Sequence, residues 1–329
     1  MANAERKPKR KHRRLTLSVK RTWVGRSPSM RVTVIINPIS GRQGRPGTAY
    51  HRAALAQQVL SAAAIPHEVK ITERPGHAYA LAREAVSRGT SLIFAWGGDG
   101  TMNEVGRAVA FSNTALSLIP AGSGNGLARE LRVSMQPKEA FTMALRAAER
   151  TIDVGEINGH FFFNAAGVGF DAHVTWLFNN RPHGRRGMLP YVTIAARELL
   201  TYRSPKYTVT ADGEMISSHA LLITVANSRQ YGNGALIAPE ARLDDGQLDM
   251  VLVQERAPLV TLWKARRLFN GTLAKVKGII IKRVTQVTIG AEESLRFHVD
   301  GEPVAEQSTN LTIRIHPGAL RIRGGNHGV

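Results

Sequence analysis

The chain has 329 residues, 43% of them hydrophobic, enough for two domains with a sizeable core. It contains no cysteine, which excludes disulfides, thiolate catalysis and cysteine-ligated zinc or iron–sulfur sites and fits a reducing compartment. The formal net charge is +19, and no stretch approaches eighteen consecutive apolar residues, so the sequence predicts no membrane-spanning helix.

Residues 1–30 hold ten Lys or Arg against one acid, Glu5. The segment "RKPKRKHRR" (Arg6 to Arg14) reads as a disordered basic arm without the apolar core of a signal peptide. "RVTVIINP" (Arg31 to Pro38) predicts a first strand, residues 47–64 a helix, "HEVKIT" (His67 to Thr72) a strand and residues 77–88 a helix. "SLIFA" (Ser91 to Ala95) is an apolar run fit for a central parallel strand, and residues 101–110 read as helix. "ALSLIP" (Ala115 to Pro120) is a second buried strand, leading through "AGSGNG" into "LAREL". This alternation predicts an open parallel α/β sheet over residues 31–150.

The pattern changes near Thr151. Asn158-Gly159 and Asp212-Gly213 each sit between strand-like runs and predict hairpins. "QLDMVLVQ", "TQVTIG", "LRFHVDGEPV" and "LTIRIHPGALRIR" continue the strands, with helices at about 189–200 and 258–270. The expectation is a mostly antiparallel β-domain from Thr151 onward. "NNRPHGRRG" (Asn179 to Gly187) reads as a loop.

Two glycine-rich turns fall at the carboxyl ends of successive buried strands, where open α/β sheets bind ligands: "GGDGT" (Gly97 to Thr101) and "AGSGNG" (Ala121 to Gly126). Glycines let backbone N–H groups approach an anion, helix N-termini favour phosphate, and Thr101 and Ser123 add hydroxyl donors. Neither loop carries a Walker A lysine, and there is no dinucleotide fingerprint. Asp99, between glycines after a buried strand, is expected at nucleotide or metal rather than in packing. The other acids beside turn signals are Asp153, Asp244, Asp245, Asp300 and Glu302. "DGE" occurs twice, at Asp212 and Asp300, and either copy can be only a hairpin turn. No histidine pair stands at ligand spacing, and His298 is read as structural.

"GGDGTMNEV" followed by "IPAGSGNGLARELRV" resembles the signature pair of the diacylglycerol kinase catalytic-domain family, which includes bacterial soluble lipid kinases and is related to sphingosine kinases. "INPISG", "LDDGQLD" and "VDGEPV" resemble its remaining motifs, in the family's order, across residues 31 to about 323. The resemblance implies an α/β ATP-binding domain (31–150) and a β-sandwich lipid and catalytic domain (151–308), with the last strands (309–325) packing back on the first. It implies ATP contacts at Asn37, Ser40, Gly41, Thr72, Gly97, Gly98, Asp99, Gly100, Thr101, Asn103 and Ser123. Asp300 or Glu302 would accept the lipid hydroxyl proton, with Glu302 preferred. Mg²⁺ linked to the nucleotide would involve Asp99, Asp153 and Asp300, partly through water. A structural Mg²⁺ would take the Asp245 carboxylate and the backbone carbonyls of Arg242 and Gln247, hard oxygen ligands that suit the ion.

The implied activity is ATP-dependent phosphorylation of a lipid alcohol: diacylglycerol, a sphingoid base or a glycerophospholipid head group. The implied setting is cytoplasmic, with peripheral attachment to an anionic membrane; homodimerisation is left open. Trp176, Leu177, Phe178, Met188, Leu189 and Tyr191 lie near Arg181, Arg185 and Arg186, which suits core helices flanking a solvated loop ahead of a lipid–water boundary. Three alternatives stand beside this reading. A nicotinamide-dinucleotide kinase shares GGDGT, but "MNEV" and "AGSGNGLAREL" replace the continuations expected there. A non-catalytic relative would not need the motifs around Asp99, Asp245 and Asp300 to keep their acids. A nucleic-acid-binding protein fits the charge, but at 6% aromatic residues and without a binding signature only non-specific contact is expected.

Overall fold

The computed structural model describes residues 30–41, 47–181, 188–232, 234–258, 260, 267, 270–273 and 276–325. The basic arm therefore lies outside the described residues, as do most of the helix expected at 258–270 and residues 182–187 of the basic loop.

The first half alternates strand and helix: β1 (Val32–Ile36), α1 (Thr48–Ala62), β2 (His67–Ile71), α2 (His77–Ser87), β3 (Leu92–Gly97), α3 (Asp99–Val109), β4 (Ala115–Pro120), α4 (Gly126–Glu130) and α5 (Pro137–Arg146). The four strands pair in parallel in the order β2-β1-β3-β4. β1, β3 and β4 are buried throughout, as their unbroken apolar runs require of strands covered on both faces. Parallel pairing sets the carboxyl ends of all four strands along one edge. Asn37, Thr72, Gly98 and Ala121 follow those ends in turn.

The second half runs β5 (Glu149–Ile157), β6 (His160–Phe162), β7 (Ala165–Gly169), α6 (Phe170–Asn179), α7 (Met188–Glu198), β8 (Lys206–Ala211), β9 (Glu214–Ala226), β10 (Gln230–Gly232), β11 (Ala235–Leu236), β12 (Leu248–Gln254), β13 (Ile279–Val284), β14 (Gln286–Leu295), β15 (Phe297–Val299), β16 (Glu302–Pro303) and β17 (Ser308–Arg323). Its pairings are antiparallel. Asn158-Gly159 and Asp212-Gly213 are two-residue turns with both residues at positive φ, the type I′ geometry whose twist matches its flanking strands. α5 and β13 were not anticipated as separate elements. α6 is rich in β-branched and aromatic residues, and its helical conformation follows from tertiary packing rather than propensity.

The long strand β17 joins the halves. It pairs with β14 and β5, and near its end Ile322 pairs in parallel with Leu116 of β4. Two main cores result. One fills the α/β layers and takes in Ile152, Val154, Phe163, Leu320 and Ile322 from the later chain. The other lies between the antiparallel layers, around Phe162, Tyr207, Met250 and Phe297.

Candidate active site

β3 ends at Gly97, and α3 begins at Asp99, with Gly98 in extended conformation as its N-cap. Thr101, in the first turn, is buried, and its hydroxyl accepts a hydrogen bond from Asn37 Nδ2 at 2.9 Å. The second loop, after β4, comes so near that a Cβ built on Gly122 would lie 2.7 Å from the Gly98 Cα. Only two glycines let the backbones meet there. Asn125 sits at φ 53°, and its side-chain amide closes the loop on both backbone groups of Gly122 (2.9 and 2.8 Å).

Asp99 ties the two loops together. Its carboxylate accepts the N–H groups of Asn125 (2.8 Å) and Gly126 (2.7 Å). Asp99 is expected at nucleotide or metal, and the structure shows it as the staple between the loops. Burial pushes its carboxyl above the ordinary carboxylate range, against the pull of those N–H donors. Ser123 stays exposed at the loop tip.

The loop after β1 completes the edge. Ile39 N–H donates to Asn37 Oδ1, and the Ser40 hydroxyl donates to the Asn37 carbonyl at 2.9 Å. Gly41 sits at φ 94°, where a side chain would collide with the Ala121 carbonyl oxygen. Arg52, from α1, braces this loop. It donates to the carbonyls of Asn37 and Ser40 and to the Ser40 hydroxyl, and its guanidinium lies 5.8 Å from the Trp96 ring centroid. Sequence reasoning missed Arg52, because an arginine in an alanine-rich helix carries no local signal. Thr72, at the end of β2, is buried, and its N–H donates to the Ile36 carbonyl.

A hairpin from the far end of the chain meets this edge. Asp300-Gly301 forms a third two-residue turn at positive φ, between β15 and β16. Asp300 and Glu302 therefore do not share the face of one regular strand. The Asp300 carboxylate accepts Asn103 Nδ2 of α3 at 2.8 Å and the N–H groups of Phe163, Asn164 and Ala165 at 2.8–3.2 Å. Burial raises its carboxyl above the ordinary range, while these donors pull it down. Glu302 is exposed and lies over the first glycine loop: a Cβ built on Gly100 would stand 3.1 Å from Glu302 Oε1. Asp212, in the other "DGE", lies on the surface. There its carboxylate accepts from Thr285 and Gln286, and these bonds outweigh the effect of burial and hold it below the ordinary range.

Asp153 has a different set of hydrogen-bond partners. It accepts the N–H of Gly246 and of Gly318, each at 2.7 Å, so it belongs to the "LDDGQ" turn. Burial first, then the negative charges of Asp245 and Asp244, raise its carboxyl. Asp245 accepts the Gln247 N–H at 3.1 Å, and Asp244 lies 3.6 Å from Arg242. Among the described residues no three His, Asp or Glu side chains converge as direct ligands of one metal ion, so Asp99, Asp153 and Asp300 do not form such a set. Of the aromatic and basic cluster near residue 180, Trp176 and Leu189 are exposed, whereas Leu177, Phe178 and Tyr191 are half-buried; Arg185, Arg186 and the Met188 side chain are outside the described residues. No helix of the described residues is long and apolar enough to cross a membrane.

Comparison with known proteins gives this geometry a family. The diacylglycerol kinase catalytic domain model matches residues 31–157, and the model of the YegS C-terminal NAD kinase β-sandwich-like domain matches residues 164–324. A Pseudomonas aeruginosa protein named probable lipid kinase YegS-like is 30% identical over 275 residues, 82% of this chain and 88% of that protein. A Yersinia pestis protein of the same name is 30% identical over 262 residues, covering 78% and 86%. In fold the chain is similar to a solved diacylglycerol kinase from Bacillus anthracis, with a TM-score of 0.70 at 21% identity over 91% of this chain and 98% of that one. The chain belongs to the YegS-like, diacylglycerol kinase-related family of lipid kinases.

Proposed function

We propose that the chain transfers the γ-phosphate of ATP to the hydroxyl of a lipid alcohol, in the crevice where the glycine loops meet the Asp300–Gly301–Glu302 hairpin. The observation that carries this reading is the approach of Glu302, about 200 residues downstream, to the backbone of Gly100. The phosphates of ATP rest on the N–H groups of Gly97, Gly98 and Gly100 and on the N-terminus of α3. Asn37, Ser40, Gly41, Thr72, Asp99, Thr101, Asn103 and Ser123 line the seat. Loops stapled together in advance reorganise little when charge develops, which is what phosphoryl transfer needs of a protein.

Glu302 takes the proton of the lipid hydroxyl. Asp300 is a weaker candidate because both its oxygens already accept N–H groups, so it holds the hairpin against α3. Magnesium supplies charge neutralisation on the phosphate oxygens. Asp99, Asp153 and Asp300 would take part, partly through water. At the "LDDGQ" turn the Asp245 carboxylate and the carbonyls of Arg242 and Gln247 would hold a second ion. The donor set fits a hard cation, and such a charge would relieve the repulsion that Asp244 and Asp245 exert on Asp153. An anionic membrane surface is the partner that suits a charge of +19.

The test is incubation with labelled ATP, magnesium and separate acceptors: diacylglycerol, a sphingoid base, a glycerophospholipid and NAD. Label on one lipid class is expected. Label on the dinucleotide alone would favour the kinase that shares the GGDGT loop.

A further inference from the structure

The hairpin that carries Glu302 rests on a buried polar group that phosphoryl transfer itself does not use. His298, on β15, and Asp171, in the first turn of α6, are each 4% exposed. β15 pairs with β7 so that His298 stands opposite Gly167. A Cβ at Gly167 would fall 2.1 Å from Asp171 Oδ2 and 2.3 Å from His298 Nε2, so the glycine makes room for the contact between them. Asp171 Oδ1 accepts the Ala172 N–H. Its Oδ2 accepts the hydroxyls of Thr224 (3.2 Å) and Tyr231, and His298 Nε2 lies 3.3 Å away.

A carboxylate only accepts, so Nε2 carries the proton. The Gly301 N–H donates to Nδ1 at 3.4 Å, so that nitrogen offers its lone pair. α6 also reaches the turn from its other end, where Asn179 Nδ2 donates to the Gly301 carbonyl at 3.5 Å. Gly301 is thus held through both its backbone groups, and Glu302 is the next residue.

We infer that Asp171 and His298 are positioning residues for Glu302: Asp171 fixes the imidazole tautomer, and the imidazole fixes the Gly301 amide and with it the direction of the Glu302 side chain. The inference rests on the phosphotransfer reading for its purpose but not for its geometry. His298→Asn keeps an acceptor where Nδ1 stands and gives up the reach to Asp171. His298→Gln does the opposite.

The experiment combines the nitrogen NMR spectrum of the wild-type imidazole, amide exchange at Gly301 and steady-state kinetics on both variants. The wild type is expected to show the Nε2–H tautomer. His298→Gln is expected to exchange the Gly301 amide roughly fivefold faster, as for loss of one hydrogen bond. Its turnover is expected to fall by about 10²-fold with the ATP KM unchanged, the scale of a misplaced reacting group. His298→Asn should keep most of the turnover and the slow exchange. An Nδ1–H tautomer, unchanged exchange in His298→Gln, or an equal loss of turnover in both variants would overturn the inference. If the wild type phosphorylates no lipid, the functional reading fails on its own, and the tautomer and exchange still decide whether the tether exists.

Discussion

Three aspartates use the same chemistry, a carboxylate that collects backbone N–H groups, for three different tasks. Asp99 staples loop to loop, Asp153 holds the "LDDGQ" turn to β17, and Asp300 holds a hairpin to α3. An amide at any of them turns one acceptor into a donor facing an N–H. Asp99→Asn should therefore lower stability by about 1–3 kcal/mol in denaturant unfolding and weaken ATP binding with it. A variant that melts like the wild type and loses only turnover would show that the staple is not needed. Asp300→Asn and Glu302→Gln should part company in the same way. The first loses stability by a similar amount. The second, exposed, keeps its melting temperature, and its turnover falls about 10²–10⁴-fold if it removes the general base. Calorimetry alongside single-turnover rates would separate them.

Among the elements, three hairpins carry the same Asn-Gly or Asp-Gly turn, and local sequence does not tell them apart. Asp212-Gly213 and Asp300-Gly301 have nearly the same φ angles, yet one lies on the surface and the other against the glycine loop. Asp212 also yields a pH prediction. Its folded carboxyl is held below the ordinary value, so its contribution is present above the unfolded pKa, about 3.9, and is lost as pH falls through the lower folded value. Because the group is exposed and screened, Asp212→Asn should cost about 1 kcal/mol or less at pH 7. That difference should vanish in acid, and phosphotransfer should stay intact. A pH series of melting curves would check the sign.

The parallel strands and both glycine loops were legible in the sequence because burial on two faces and close approach of two backbones each demand particular residue types. The Arg52 brace, the Asp99 staple and the His298 tether were not. The Asp99 and His298 contacts depend on partners brought in by strand order, and the Arg52 brace on α1 folding back over the loop after β1.

Across the whole molecule, β17 and the 163–165 segment make the two halves one unit. Phe163 packs in the α/β core while its N–H donates to Asp300, so one residue serves both core and hairpin. Phe163→Ala should cost about 3–5 kcal/mol, and it should reduce phosphotransfer even under conditions where the chain remains folded. Unchanged unfolding would show that the halves are stabilised independently. The most direct measurement is the rate of γ-phosphate transfer from labelled ATP to lipid, set side by side for the wild type, Glu302→Gln and Asp212→Asn. The expected result is label on lipid at similar rates for the wild type and Asp212→Asn, with Glu302→Gln slower by about 10²–10⁴-fold. Full-rate transfer by Glu302→Gln, or loss of transfer in Asp212→Asn alone, would contradict the assignment of the hairpin at Gly301 to the active site.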